Sequence, residues 1–152
     1  MINIKVWKDG ERQVADYLKE IGYKIVYTNF SCKIAELDIV AILSKKVQKI
    51  LIKDEFKQKF KGLSHKSEIK LMKFAFKNKL KNLTDLLIIV EVKARSTKKY
   101  GSGLDAISSD KVVHLKRGAE LLLKMKQFNN MQPRFDVASV DGGKITYIEN
   151  AF

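Results

Sequence analysis

One cysteine and two scattered histidines in 152 residues remove several kinds of chemistry at the outset. Cys32 has no second cysteine with which to form an internal disulfide, and no Cys/His group at zinc spacing surrounds it. An idle, reduced thiol is the expectation. His65 and His114 stand alone, without neighbours at ligand spacing, and are expected to do no chemistry. Long apolar runs are also missing: none approaches the roughly 18 residues that suggest a membrane span. The opening MINIKVWKDGERQ carries no apolar signal segment. The expected compartment is therefore the cytoplasm, with no membrane partner.

Acid is scarce as well. Lys and Arg total 30 against 17 Asp and Glu, a net charge of +13, and an excess of this size points first to polyanionic partners. The excess is local. Between Ser44 and Thr84 stand 13 lysines against Asp54, Glu55 and Glu68, so this stretch carries +10 of the total and the rest of the chain only +3. The length suits one domain, and 45% hydrophobic residues suffice for one core. A single domain over residues 1–152 is expected, with residues 44–85 as an insertion.

Periodicity supplies the elements. Val14, Tyr17, Leu18 and Ile21 recur at helical spacing, with Asp9 placed to cap the helix and Gly22 to stop it. KIVYTNF reads as a strand, and ELDIVAIL and LLIIVEVK as two more, both apolar on two sides as when helices cover a sheet. After the loop STKKYGSG, Val112, Leu115, Ala119 and Leu122 mark a helix over Asp110 to Lys126, with Ser109 as its cap. RFDVASV, the turn DGG and KITYIE close the chain as a hairpin. Within the insertion, Ile69, Met72, Phe76 and Leu80 form a helical stripe, and Gly62 breaks a shorter helix before it. The order predicts an α/β fold, a mixed sheet flanked by helices with a lysine-rich helical insertion between the second and third strands.

The stretch LLIIVEVKAR poses the functional question. Side chains alternate along a strand, so Glu91 and Lys93 share a face with Leu87 and Ile89 while Ile88, Val90 and Val92 fill the other. Charges in such a strand cost several kcal/mol unless paired. If the second and third strands are antiparallel neighbours, placing Asp38 opposite Glu91 sets Val40 against Ile89, Ile42 against Leu87 and Glu36 against Lys93. Two acids facing each other repel, so this register calls for a cation, and a hard divalent ion held by carboxylates and water fits. Lys93 then stands where it can polarise a water or a phosphate oxygen, and Glu11 on the first helix is a candidate third acid. The chemistry suggested is metal-assisted phosphodiester hydrolysis.

LDIVAI, EVK at the end of an apolar strand, and GE opening the preceding helix resemble the core of the PD-(D/E)xK nucleases, among them restriction endonucleases and Holliday junction resolvases. More closely, GERQVADYLKEIGYKIVYTNF, AELDIVAI, IIVEVKARSTKKYGSGLDAISSDKVVHLKRGAELLL, RFDVASV and ENAF are similar to the YraN-like, endonuclease-related bacterial family. The resemblance covers nearly all of the chain outside the insertion. It implies a restriction-endonuclease-like fold and makes Asp38 the motif aspartate, Glu91 and Lys93 the E-x-K pair and Glu11 the first-helix acid. Glu36 and Lys111 match further acidic and basic positions. It implies Mg2+ or Mn2+ as cofactor and nucleic acid as partner, DNA in preference to RNA, and leaves a homodimer open. Ala35 departs from the family's usual glycine, and the insertion replaces a short turn.

Plainer readings stand beside these. Glu36 and Lys93 read equally well as a cross-strand ion pair, Glu11 as a first-turn acid facing the helix dipole, and Lys111 as a surface lysine at a helix start. Asp136 reads as a structural partner of Arg134. The insertion's lysines read equally as a solvated face and as a DNA contact.

Overall fold

The computed structural model describes residues 4–61, 65–95 and 107–152, with the side chains of residues 4–7 and 95 excepted. Five strands form one sheet in the order β1-β2-β3-β4-β5. They are β1 (Lys24–Cys32), β2 (Ala35–Leu43), β3 (Leu86–Arg95), β4 (Gln132–Asp141) and β5 (Lys144–Ile148). Neighbours are antiparallel except β3 and β4, which are parallel and are linked through helix α4 (Ser109–Leu123). Parallel neighbours need such a crossover because a tight turn can only reverse the chain. The mixed sheet with helices on both faces is the architecture expected from the sequence, and it is consistent with a restriction-endonuclease-like fold.

The alternation within β3 builds both cores. Ile88, Val90 and Val92 pack with Val14, Ala15 and Leu18 of helix α1 (Ile4–Glu20), while Leu87 and Ile89 pack with Leu115, Ala119 and Leu122 of α4. Two glycines let the helices come close. A Cβ on Gly10 of α1 would lie 2.5 Å from the Cβ of Ala94, and one on Gly118 of α4 would lie 2.9 Å from Ala35 and Leu37.

Helix α1 is longer than the periodicity indicated. It begins by Ile4, so Asp9 is an interior residue whose carboxylate accepts from Arg12 at 3.2 Å rather than a cap. Nothing between Ile4 and Lys8 breaks a helix, so the turn propagates backward. Helix α4 is capped by Ser108, one residue before the expected Ser109; its Oγ accepts from Lys111 N at 3.3 Å. Gly22, at φ 94°, ends the α1 segment as expected. Gly142 and Gly143, both at positive φ, turn β4 into β5. The expected loop STKKYGSG, residues 96–103, lies outside the described residues.

The insertion is a helical hairpin. Ser44 caps α2 (Lys45–Phe60), and α3 (Lys66–Lys81) packs against it through Phe56 and Phe76, ring centroids 5.0 Å apart. Glu55 bridges Lys59 and Lys79 across the pair at 2.7 and 3.1 Å. Gln48 ties the hairpin to the sheet, donating to the carbonyls of Leu43 and Thr84 at 3.1 and 2.6 Å. The first helix matches the second in length, 16 residues each, and is not the shorter piece expected; the break expected at Gly62 lies outside the described residues.

Candidate active site

The register between β2 and β3 brings the motif acids together. Val40 pairs with Ile89 and Ile42 with Leu87, as the sequence indicated, and the ladder ends at Ile39 and Val90. At the next position the carboxylate of Asp38 replaces a backbone acceptor: its Oδ2 accepts from Val92 N at 2.8 Å. The strand also changes face here. Ala35 and Leu37 lie in the α4 core, whereas Ile39, Ala41 and Leu43 lie in the α1 core. Asp38 thus sits at an irregular point of β2, fixed to β3 beside Glu91.

Glu91 is 7% exposed, and burial followed by the charge of Asp38 raises its pKa above the usual carboxylate range. Asp38 is raised by burial and by Glu36, although Val92 N–H and Lys111 pull it the other way. Glu11, 6% exposed, is raised by burial and then by Asp38. Three acids that each resist ionisation because of burial and mutual charge mark a place short of positive charge. The Oε2 of Glu11 is buried with no hydrogen-bond partner, an arrangement that costs about 1–3 kcal/mol, while that of Glu91, equally buried, is met by the Lys111 ammonium alone.

Lys111 reaches in from the first turn of α4. Its Nζ lies 3.0 Å from Glu91 Oε2, an ion-pair distance without hydrogen-bond alignment. Partial burial works against the lysine's charge, but Glu91, Asp38 and Glu36 together hold its pKa above the ordinary value. The plain reading of Lys111 as a surface lysine is therefore corrected: the capped turn that Ser108 starts aims it at the acids. Lys93 is half-buried on the Glu91 face, its charge favours the ionised Glu91, and it borders a cleft of about 300 Å3 with Val112, Val137 and Phe152. Glu36 is exposed and lines a cleft of about 320 Å3 with Lys111, His114 and Cys32. Among the described residues no ion pair joins Glu36 to Lys93, because the ladder that would align them stops three residues earlier.

Asn29 belongs to this corner and was missed. It falls between the pairs Thr28–Ile39 and Phe30–Leu37, opposite Asp38, with φ 53° in the middle of β1. A contact from its side chain counters the raised pKa of Glu11. Left-handed backbone is uncommon outside glycine and favours Asn, but nothing in KIVYTNF marks the position before the register is known.

Among the described residues, no three of Asp, Glu, His and Cys are already gathered as a metal-ligand cluster. Asp38 and Glu91 brought together, with the unpartnered Glu11 Oε2 in the same corner and only oxygen to offer, nevertheless fit a hard divalent ion that keeps several waters. Asp136 supplies the contrast. It is fully buried yet satisfied, accepting from Arg134 Nε and Nη2 at 2.9 and 2.7 Å, Tyr147 Oη at 2.6 Å and Asn150 N at 2.8 Å. Its structural role, as the sequence suggested, leaves no coordination capacity to explain.

Residues 10–140 match the sequence model of a family described as Uncharacterised protein family UPF0102. That span includes Glu11, Asn29, Asp38, Glu91, Lys93 and Lys111. Similar chains include a UPF0102 protein of Alkaliphilus metalliredigens (strain QYMF), 30% identical over 94% of this chain and 93% of its own. One from Syntrophus aciditrophicus (strain SB) is 27% identical over 99% and 90%, and one from Thermodesulfovibrio yellowstonii is 28% identical over 100% and 99%.

Proposed function

The chain belongs to the UPF0102 family, and from that membership joined to the acids its fold assembles we propose that it is a metal-dependent nuclease hydrolysing DNA phosphodiester bonds. The observation that carries this reading is the approach of Asp38 and Glu91 at the end of the β2–β3 ladder, where Val92 N–H fixes Asp38 beside a Glu91 that is 7% exposed. A structural role gives two such acids nothing. They would hold Mg2+ or Mn2+, with Glu11 as the nearby third acid.

When bound, such an ion lowers the pKa of water and takes up charge developing on the scissile phosphate. The side chains do the rest. Asp38, anchored to Val92 N, keeps one oxygen in a fixed position. Lys93 orients a water or a phosphate oxygen beside Glu91. Lys111 offers a second positive charge to the phosphate and limits the repulsion among the acids while they are ionised. Branched or damaged DNA would be the preferred substrate class.

Purified protein with Mn2+ should cut at least one of a panel of branched, single-stranded and duplex DNA substrates. Lys93→Ala and Glu91→Ala should each abolish cleavage while the circular dichroism spectrum stays unchanged. Cleavage persisting in both variants would defeat the assignment. The absence of a ready three-acid cluster among the described residues favours one second reading, a nucleic-acid-binding protein that keeps the fold without catalysis. Calorimetric titration with Mn2+ separates the two, since DNA binding without metal binding would select the second.

A further inference from the structure

Helix α3 carries no buried residue, although it is 16 residues long. Ile69, Met72, Phe76 and Leu80 turn toward α2 and are half-buried. By the 3.6-residue period, Lys66, Lys70, Lys73, Lys77 and Lys81 fall within one arc of about 80° beside that stripe, and they span about 22 Å of helix. All five are exposed, and among the described residues none pairs with an acid. The sixth lysine, Lys79, faces the other way: it pairs with Glu55 and lies 5.9 Å from the centre of the Phe56 ring. Glu68, the helix's one acid, has a lysine at neither i+3 nor i+4, the positions where helical ion pairs form. The row is thus undiluted positive charge. Phe74, 64% exposed, stands on the arc next to it.

We infer that this row is a binding site for a nucleic-acid strand, the five lysines tracking successive phosphates and Phe74 offering its ring to an unpaired base. Linear spacing of cations with an adjacent exposed aromatic is what sequence-tolerant single-strand contact requires. An anionic membrane fits less well. Leu71 and Phe74 are the large apolar residues exposed on α3, and Ser67 and Asn78 lie on the same arc, too little apolar surface to seat a helix in a bilayer interface. The row is also distinct from the carboxylate corner. The hairpin leaves the sheet at Leu43 and Leu86, about 17 Å along β2 from Asp38 at strand rise.

The inference takes its choice of DNA as probe from the proposed nuclease function, so binding is measured in EDTA, where no cleavage occurs. Fluorescence anisotropy of labelled oligothymidylate with the full chain, over a KCl series, gives the slope of log affinity against log salt. Joint Lys→Gln substitution at residues 66, 70, 73, 77 and 81 should reduce that slope by about 3.5, at about 0.7 per phosphate on single strands. Phe74→Ala should weaken binding about 5- to 150-fold with the slope intact, the range for loss of one stacked base. All six side chains are exposed, so unchanged melting curves should confirm that both variants fold. A slope equal to wild type overturns the inference. So does loss of binding to phosphatidylserine vesicles while oligonucleotide binding is unaffected, which would assign the row to a membrane. Absence of cleavage by the wild type with Mn2+, with the slope change intact, would defeat only the nuclease reading.

Discussion

Glu91→Gln should make the metal-free protein more stable while removing its response to Mn2+. Glu91 is 7% exposed, its Oε2 is met by the Lys111 ammonium alone at 3.0 Å, and burial together with Asp38 outweighs the attraction of Lys111 and Lys93, so its pKa is raised. A buried carboxylate with a raised pKa destabilises the fold wherever it is ionised. The penalty is in force above the folded-state pKa and is relieved as pH falls through that value toward the ordinary carboxylate value of 4.5. The amide removes the charge and can donate to Asp38. Lys111, a third exposed, can turn to solvent once the charge is gone, so relief of the buried carboxylate is worth about 1–3 kcal/mol, or about 2–12 °C in Tm for a chain of this size. Wild-type protein should instead gain about 2.7 kcal/mol from Mn2+ at a hundredfold excess over its Kd. The assay is thermal melting of both proteins at neutral pH, with EDTA and with Mn2+, followed by acidification in EDTA. The variant should melt higher in EDTA, the gap should close toward pH 5, and Mn2+ should move the wild type alone. A lower Tm for the variant in EDTA, or equal Mn2+ shifts, would refute the reasoning.

Gly10→Ala forces a Cβ to within 2.5 Å of Ala94, so it should cost about 1–3 kcal/mol by overpacking and displace Glu11; adding Ala94→Gly should restore both the urea midpoint and metal binding. An unchanged midpoint in the single variant would show that α1 does not rest there. Asp136→Ala strands the Arg134 guanidinium, whose side chain is 14% exposed, and should cost about 3–5 kcal/mol in urea denaturation. A loss below about 1 kcal/mol would mean that solvent or Glu149 already neutralises Arg134.

Much of this was legible in the chain because β2 and β3 show themselves as strands apolar on both sides in ELDIVAIL and LLIIVEVK. Val40 meets Ile89 and Ile42 meets Leu87 because any shift by one residue would turn a packed face outward. The stripe of Ile69, Met72, Phe76 and Leu80 was legible for the same reason at helical period. The start of α1 was not, since Asp9 has the chemistry of a cap and only the nearby Arg12 guanidinium shows it otherwise engaged. Asn29 was not, because a single left-handed residue leaves no periodic trace. The two readings of Lys111 stayed open in the sequence because its placement depends on where α4 docks, a tertiary fact set by Gly118 against Ala35 and Leu37. The Glu36–Lys93 pairing failed where a side chain, Asp38, displaced the backbone ladder, an event that strand periodicity cannot encode.

The hairpin of α2 and α3 departs from and returns to adjacent points, since Leu43 and Leu86 are partners in the ladder. Its two ends are already stitched by the strands themselves, so the segment behaves as a cassette whose removal leaves a gap a tight turn can bridge. Shortening that connection roughly tenfold lowers the entropy of closing it by about 2 kcal/mol, which offsets some of the packing that Ile52 and Phe56 would surrender. A scaffold with such a port can acquire, exchange or discard an accessory without rebuilding its carboxylate corner, and in this chain the port is filled by lysine.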